Sequence, residues 1–188
     1  MKLVQTNQTS KEFQQLVALL DAELAIRDGD DHDFYHQFNG IEALDHVVVA
    51  YSNIKAMGCG AFKVHNKQQI EIKRMYVLPA ARKKGYAAAI LSALETWATD
   101  KGFGEAILET GKAQIEALSF YPKQGYLVIP NFPPYKGIDN SVCFRKPLIW
   151  SFLFFYYGYF NRCVQKIACF REFEAKFLSC EFNKIKTG

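Results

Sequence analysis

The chain has 188 residues, of which 49% are hydrophobic and 22% are charged, and its formal net charge is +4. This length is typical of one globular domain, and the composition excludes a disordered or fibrous chain. Because the net charge is modest and the lysines and arginines are dispersed, no basic stripe indicates a nucleic-acid partner. The five cysteines include no CxxC pair, so neither a structural zinc site nor a disulfide framework is expected.

The N-terminal segment MKLVQTNQTSKEF has no apolar stretch of signal-peptide length. The most apolar run, residues 149–160, is shorter than the roughly 20 residues that a membrane-spanning helix needs. Together with the cysteine pattern, these features predict a protein of the reducing cytoplasm.

The first half of the chain predicts a strand, a helix and three further strands. The first strand covers residues 2–6, and Thr9 followed by Glu12 has the spacing of a capping box, which places the start of the helix at Thr9. One face of this helix is apolar, with Phe13, Leu16, Val17, Leu20 and Leu24 at helical spacing. The three strands, which we expect to be antiparallel, are residues 46–51, 55–64 and 69–78.

The second half predicts a helix, a strand, a helix and two closing strands. The first of these helices carries apolar residues from Ala87 to Ala98 and should end at Lys101-Gly102, because glycine favours the left-handed conformation that follows a helix. A strand at residues 105–110, a helix at 113–123 and strands at 126–129 and 141–146 follow. The predicted fold class is α/β (α+β).

A strand that runs into a basic, glycine-containing turn and then into a helix is the most informative feature. The segment from Met75 to Ala88 has this order, with Arg82, Lys83, Lys84 and Gly85 in the turn. A helix N-terminus presents unpaired N–H groups and partial positive charge, and glycine lets the backbone approach a ligand closely. The segment therefore predicts a site for a pyrophosphate.

Arg82-x-x-Gly85-x-Ala87, preceded by Val77-Leu78-Pro79, resembles the Q/R-x-x-G-x-G/A signature of the GNAT acetyltransferases. The segment from Gln114 to Tyr126 is similar to the N-x-x-A-x-x-x-Y-x-x-x-G-F/Y segment of that family. The order of strands also matches, and the resemblance covers residues 1–148. It implies a GNAT domain over 1–148, with a central, mostly antiparallel, twisted sheet of six to seven strands flanked by helices.

The resemblance also implies roles for particular residues, with acetyl-CoA as the co-substrate and no metal. Met75 and Val77 would offer backbone groups to the pantetheine arm, and Gln114, where many members have Asn, would contact the same arm. Tyr121 matches the tyrosine that protonates the departing thiolate. The pyrophosphate would be held by Arg82, Lys83, Lys84, Gly85, Tyr86, Ala87 and Ala88.

The group that accepts the proton of the substrate amine is less clearly indicated. Glu71 is the first candidate base, because strand alternation puts it on one face with Lys73, Met75 and Val77; a bulge in this strand would reverse that. Glu109 and His36 are further candidates, and a water chain is the alternative to any side chain.

The sequence thus predicts an acetyl-CoA-dependent N-acetyltransferase, an enzyme of the EC 2.3.1 type, that transfers acetyl directly to a primary amine. In the family that the chain resembles, the region after the first helix lines the acceptor site, so the acidic segment 28–33 and the aromatic residues beside it imply a cationic amine. A small molecule is the expected acceptor. Two alternatives stay open: an acyl-CoA-binding module without turnover, and an acetyltransferase that acts on protein amines.

The segment 149–188 is predicted to be a separate aromatic and basic extension. Its apolar residues recur at helical spacing, which favours a helix. The pattern favours docking on the domain or self-association as a homodimer. Contact with a membrane surface through its lysines and arginines, or no role at all, are the other interpretations.

Overall fold

The computed structural model describes residues 1–29, 35 and 37–148. In this part of the chain a seven-stranded sheet has the order β1-β2-β3-β4-β5-β7-β6. Its strands are β1 (Lys2–Thr6), β2 (His46–Ser52), β3 (Lys55–Val64), β4 (Gln69–Val77), β5 (Glu105–Gly111), β6 (Leu127–Ile129) and β7 (Ser141–Pro147). Its helices are α1 (Lys11–Asp28), α2 (Tyr86–Asp100) and α3 (Ile115–Lys123). The predicted α/β class and order of elements are confirmed, and the predicted extension at 149–188 lies outside the described residues.

Helix α1 begins one residue later than the sequence predicts. Its N-cap is Ser10, whose Oγ accepts a hydrogen bond from the Phe13 amide at 3.3 Å and donates one to Glu12 at 3.1 Å. The hydroxyl and amide of Thr9 bond instead to the Asn7 side chain, at 2.7 and 2.9 Å. The predicted cap at Thr9 is therefore wrong, because Asn7 takes both polar groups of that residue.

The core lies in two layers on opposite faces of the sheet. Helices α2 and α3 cover one face, where Ile90, Leu94 and Tyr121 pack against the strands. Helix α1 covers the other face through Phe13 and Leu16. Helix α2 ends as predicted, with Gly102 at φ +89° directly after its last turn.

Strands β4 and β5 are parallel and pair only at their first residues. Gln69, Ile70 and Glu71 lie opposite Glu105, Ala106 and Ile107. Beyond Glu71, β4 pairs only with β3, whereas β5 continues along β7 to Gly111. A gap therefore opens at the carboxyl ends of the two strands, the place where open α/β sheets bind ligands.

A bulge at Arg74 reverses the two faces of β4. Cys59 lies opposite Tyr76 and Ala61 lies opposite Lys73, so β4 contains one extra residue, and Arg74 takes it up at φ +56°. After the bulge, Met75 and Val77 join the core on the face of α2 and α3, together with Ile70 and Ile72. The predicted common face for Glu71, Lys73, Met75 and Val77 is wrong for this reason, since Glu71 and Lys73 point to the face of α1.

The side chain of Arg74 fixes α1 against the bulge. It is only 5% exposed, and its two terminal nitrogens bind the two carboxylate oxygens of Asp21 at 2.8 and 3.1 Å. Bidentate pairs of this kind are strong and directional. The ion pair therefore holds the second half of α1 beside the end of β4, next to the gap.

We expect the substitution Asp21→Asn to lower the free energy of unfolding by about 2–3 kcal/mol, because it leaves a buried guanidinium without a charge partner. Urea unfolding should show a lower midpoint at an unchanged slope. Asp100→Asn, at the exposed end of α2, is the matched control and should leave the midpoint in place. Equal midpoints for Asp21→Asn and the wild type would contradict this role of Arg74.

Candidate active site

A cavity of about 650 Å³ lies at the gap between β4 and β5. Its walls come from the second half of α1, the end of β4, the turn before α2, and α3. The residues predicted from the sequence that line it are Met75, Val77, Arg82, Lys83, Gly85, Tyr86, Ala87, Ala88, Gln114 and Tyr121. Lys84 does not line it, since its ammonium donates to the Ala80 carbonyl at 2.8 Å. Glu71 does not line it either, since it lies in the first part of β4, where that strand still pairs with β5.

The turn before α2 has the chemistry that a diphosphate needs. Gly85 caps the helix at φ +84°, and the first amide with an acceptor in this helix is that of Ala89, which bonds to the Gly85 carbonyl at 3.0 Å. The amides of residues 86–88 have no acceptor within the helix and face its N-terminus. A Cβ at Gly85 would meet no atom within 4 Å, so the space in front of the turn is open. The donors and the exposed Lys83 therefore fit the pyrophosphate of CoA.

The side chain of Arg82 is held within the protein. Its Nε donates to the Val77 carbonyl at 3.0 Å, and one terminal nitrogen lies 2.5 Å from a carboxylate oxygen of Glu23. The guanidinium also lies 5.8 Å from the centre of the Tyr76 ring. The backbone amides of this turn, and not the Arg82 side chain, are therefore the main hydrogen-bond donors that remain available to a ligand.

The sequence analysis did not predict the α1 wall of the cavity. Leu20 and Leu24 supply its apolar part, and Glu23 and Arg27 supply its charges. Arg27 binds Glu23 at 2.6 Å and, across the cavity, Glu116 of α3 at 2.7 Å. The spacing of Glu23 and Arg27 on one helical face indicates their pairing, but nothing in the sequence indicates Glu116 as a partner.

Tyr121 is buried at the inner end of the α3 wall. It is 7% exposed and packs against the rings of Phe120, Tyr126 and Phe144 at centroid distances of 5.3, 5.5 and 5.8 Å. Burial raises the pKa of Tyr121 above its ordinary value, and the negative charge of Glu109 raises it further. The hydroxyl is therefore protonated at neutral pH and able to donate.

A polar cluster occupies the α1 face of β4 and β5, and we call Glu71, Lys73, Glu109 and Tyr135 the polar cluster. Glu71 is 2% exposed, and its oxygens lie 3.0 Å from the ammonium of Lys63 and 2.9 Å from that of Lys73. Lys73 and Glu71 form an ion pair, but the geometry of their contact does not meet that of a hydrogen bond. Lys73 also donates to the Tyr135 hydroxyl at 2.8 Å.

The charge of Glu109 acts both on Tyr121, which lines the cavity, and on Tyr135 of the polar cluster. Its charge contributes to the raised pKa of Tyr121 on one side and of Tyr135 and Cys143 on the other, although burial is the main cause for all three groups. The pKa of the Cys143 thiol is raised to about 11, so this cysteine is a neutral core residue. Sequence reasoning missed Lys73 and Tyr135, since neither belongs to a motif.

The region after α1 is described only in part. His36 lies outside the described residues, as do residues 30–34 of the acidic segment. Tyr35 is buried, and its hydroxyl lies 3.0 Å from that of Ser141 on β7. This contact places Tyr35 on the same face of the sheet as the polar cluster.

Comparison with known proteins identifies the family to which this fold belongs. The model of the acetyltransferase (GNAT) family matches residues 13–126. An IAA acetyltransferase of Azospirillum brasilense is 33% identical over 102 residues, which are 54% of this chain and 67% of that protein.

Two solved structures share the fold. A candidate acyl-CoA N-acyltransferase of Klebsiella pneumoniae has a TM-score of 0.66 and 30% identity, over 79% of this chain and 97% of that one. The PaiA N-acetyltransferase of Thermoplasma acidophilum, solved in complex with coenzyme A, has a TM-score of 0.59 and 15% identity, over 78% of this chain and 99% of that one.

The fold and the matching family model define an acyltransferase. The chain belongs to the GNAT family of acetyltransferases, and acetyl-CoA is its co-substrate. Within residues 1–29, 35 and 37–148, no helix combines the length and apolar character that a membrane span requires. The same residues contain no group of three or more His, Cys, Asp or Glu side chains arranged to hold a metal ion.

We expect Gly85→Val to weaken CoA binding on the order of 100-fold, or ~3 kcal/mol, because the new side chain would fill the space in front of the turn. Calorimetric titration with CoA measures this directly. Gly102→Val is the matched control, since Gly102 has a similar φ of +89° and an equally open Cβ position at the other end of α2. Both variants should lose about 1–2 kcal/mol of stability from the left-handed backbone; equal CoA affinities in the two would contradict the assignment.

Proposed function

We propose that this enzyme acetylates the primary amine of a small molecule and that Tyr121 donates a proton to the departing thiolate. The observation that carries the proposal is the position of Tyr121, which is buried and lines the same cavity as the diphosphate turn. Acetyl-CoA supplies the activated acetyl thioester. Because burial keeps the Tyr121 hydroxyl protonated, it can act as a general acid at neutral pH.

The burial of the polar cluster favours a small molecule over a protein segment as the acetyl acceptor. Glu71 and Tyr135 are each 2% exposed, and the rings of Phe38 and Phe132 pack on Tyr135 at centroid distances of 5.7 and 5.6 Å. A protein substrate would need an open groove at this place. Carboxylates and aromatic rings attract an ammonium group, and the ammonium of Lys73, 5.5 Å from the centre of the Tyr135 ring, occupies such a position already.

Of the three candidate bases, Glu71 and Glu109 lie within the described residues, and the electrostatic interaction of Glu109 with Tyr121 favours Glu109. Both oxygens of Glu71 are approached by lysines, so proton uptake by Glu71 would break two favourable interactions. Glu109 lies on the same face, two residues beyond the partner of Glu71 on β5, and close enough to Tyr121 to raise its pKa. We therefore infer that Glu109 accepts the amine proton and that Glu71 positions Lys73 and Tyr135; the catalytic role predicted for Glu71 stays a hypothesis.

We expect Tyr121→Phe to lower kcat by about 100-fold, because a general acid typically contributes a factor of this order, with the affinity for acetyl-CoA nearly unchanged. The measurement is release of the CoA thiol with a panel of small primary amines. Tyr126→Phe is the matched control, because the buried ring of Tyr126 packs on Tyr121 itself while its charged neighbour is Glu95, outside the cavity. Full activity of Tyr121→Phe on an accepted amine would contradict the proton donor.

The same assay separates the two carboxylates. Glu109→Gln should lower kcat with little change in KM, because it removes the proton acceptor, whereas Glu71→Gln should mainly raise KM for the amine, because it disturbs the positions of Lys73 and Tyr135. If no small amine were acetylated while a protein or peptide amine was, the small-molecule acceptor would be wrong.

A further inference from the structure

Four charged side chains form a continuous chain of ion pairs along the cavity, and we call Glu116, Arg27, Glu23 and Arg82 the ion-pair bridge. Arg27 binds Glu116 through both terminal nitrogens, at 2.7 and 3.3 Å. Arg27 also binds Glu23 at 2.6 Å, and Glu23 binds Arg82 at 2.5 Å. All four residues line the cavity.

The bridge connects two walls that belong to opposite faces of the sheet. Arg27 and Glu23 come from α1, which covers one face, and Glu116 comes from α3, which packs with the core of the other face. Arg82 belongs to the diphosphate turn. A co-substrate that extends from this turn to Tyr121 must occupy the space between α1 and α3, which is the space that Arg27 and Glu116 span.

Arg27 and Glu116, which form the contact across the cavity, stabilise each other's charged forms. Hydrogen bonds from Arg27 lower the pKa of Glu116 to about 2, and the hydrogen bond to Glu116 raises the pKa of Arg27. The carboxylate of Glu116 is nevertheless 69% exposed, and ion pairs so open to water are weak. The contact between Arg27 and Glu116 can therefore separate at small cost.

We propose that the contact between Arg27 and Glu116 is a gate over the cavity, which separates to let acetyl-CoA enter and CoA leave. The gate slows both steps by a small factor, the cost of separating an exposed ion pair, because ligand moving in either direction has to part the same two side chains. The proposal rests on acetyl-CoA as the co-substrate and is independent of the acceptor and of the roles of Tyr121 and Glu109.

Arg27 provides a decisive test, because a gate and simple electrostatic attraction predict opposite effects of its removal. CoA is a polyanion, so the loss of a positive charge beside its site would slow association if Arg27 merely attracted it. If Arg27 holds the gate, the same loss accelerates association.

We expect Arg27→Met and Glu116→Gln each to raise the association and dissociation rate constants of CoA by about two- to fivefold, the bias that an exposed ion pair supplies. The dissociation constant should change by less than either rate. Stopped-flow fluorescence with etheno-coenzyme A measures all three quantities without turnover. Glu42→Gln, an equal change of charge at an exposed residue away from the cavity, is the control for net charge and should leave the rates unchanged.

Slower or unchanged association for Arg27→Met would overturn the gate. If that variant did not fold, Arg27→Lys takes its place. Lysine keeps the charge but cannot bind two carboxylates through a planar fork, so the gate predicts faster association for it, and plain attraction predicts no change. Because the wild-type protein is measured alongside, a failure of CoA binding itself would be visible separately from a failure of the gate.

Discussion

The position of Arg74 determines how the two sides of this enzyme are arranged. Its backbone takes up the extra residue of the bulge in β4, and its guanidinium binds Asp21 of α1. The bulge sends Glu71 to one face of the sheet and Met75 to the other, while the ion pair places α1 beside the gap. Without the bulge, Glu71 and Lys73 of the polar cluster would lie on the same face of β4 as Met75 and Val77, which line the cavity.

The early divergence of β4 and β5 makes contact between those faces possible. Since β4 leaves β5 after Glu71, groups from both faces meet at the gap instead of being separated by a continuous sheet. The effect of Glu109 on the pKa of Tyr121 is a consequence. The proposed proton acceptor Glu109 and the proposed proton donor Tyr121 could thus serve one reaction from opposite sides of the gap.

Most of the fold and the co-substrate wall could be predicted from local patterns. The strand, basic turn and helix from Met75 to Ala88 are contiguous, and so is the segment from Gln114 to Tyr121; both therefore leave a signature in the sequence. The bulge at Arg74 leaves no such signature, because tertiary contacts, and not the local sequence, hold this arginine at a positive φ. The pairs between Arg27 and Glu116, or Lys73 and Tyr135, join residues far apart in the chain, and no spacing rule connects them.

We propose that acetyl-CoA occupies the cavity at the gap between β4 and β5. A crystal structure of this chain with CoA tests it most directly. We expect diphosphate oxygens within about 3 Å of the backbone amides of the turn at residues 83–88, and the CoA sulfur beside the hydroxyl of Tyr121. A diphosphate bound away from that turn, or a sulfur remote from Tyr121, would contradict the account.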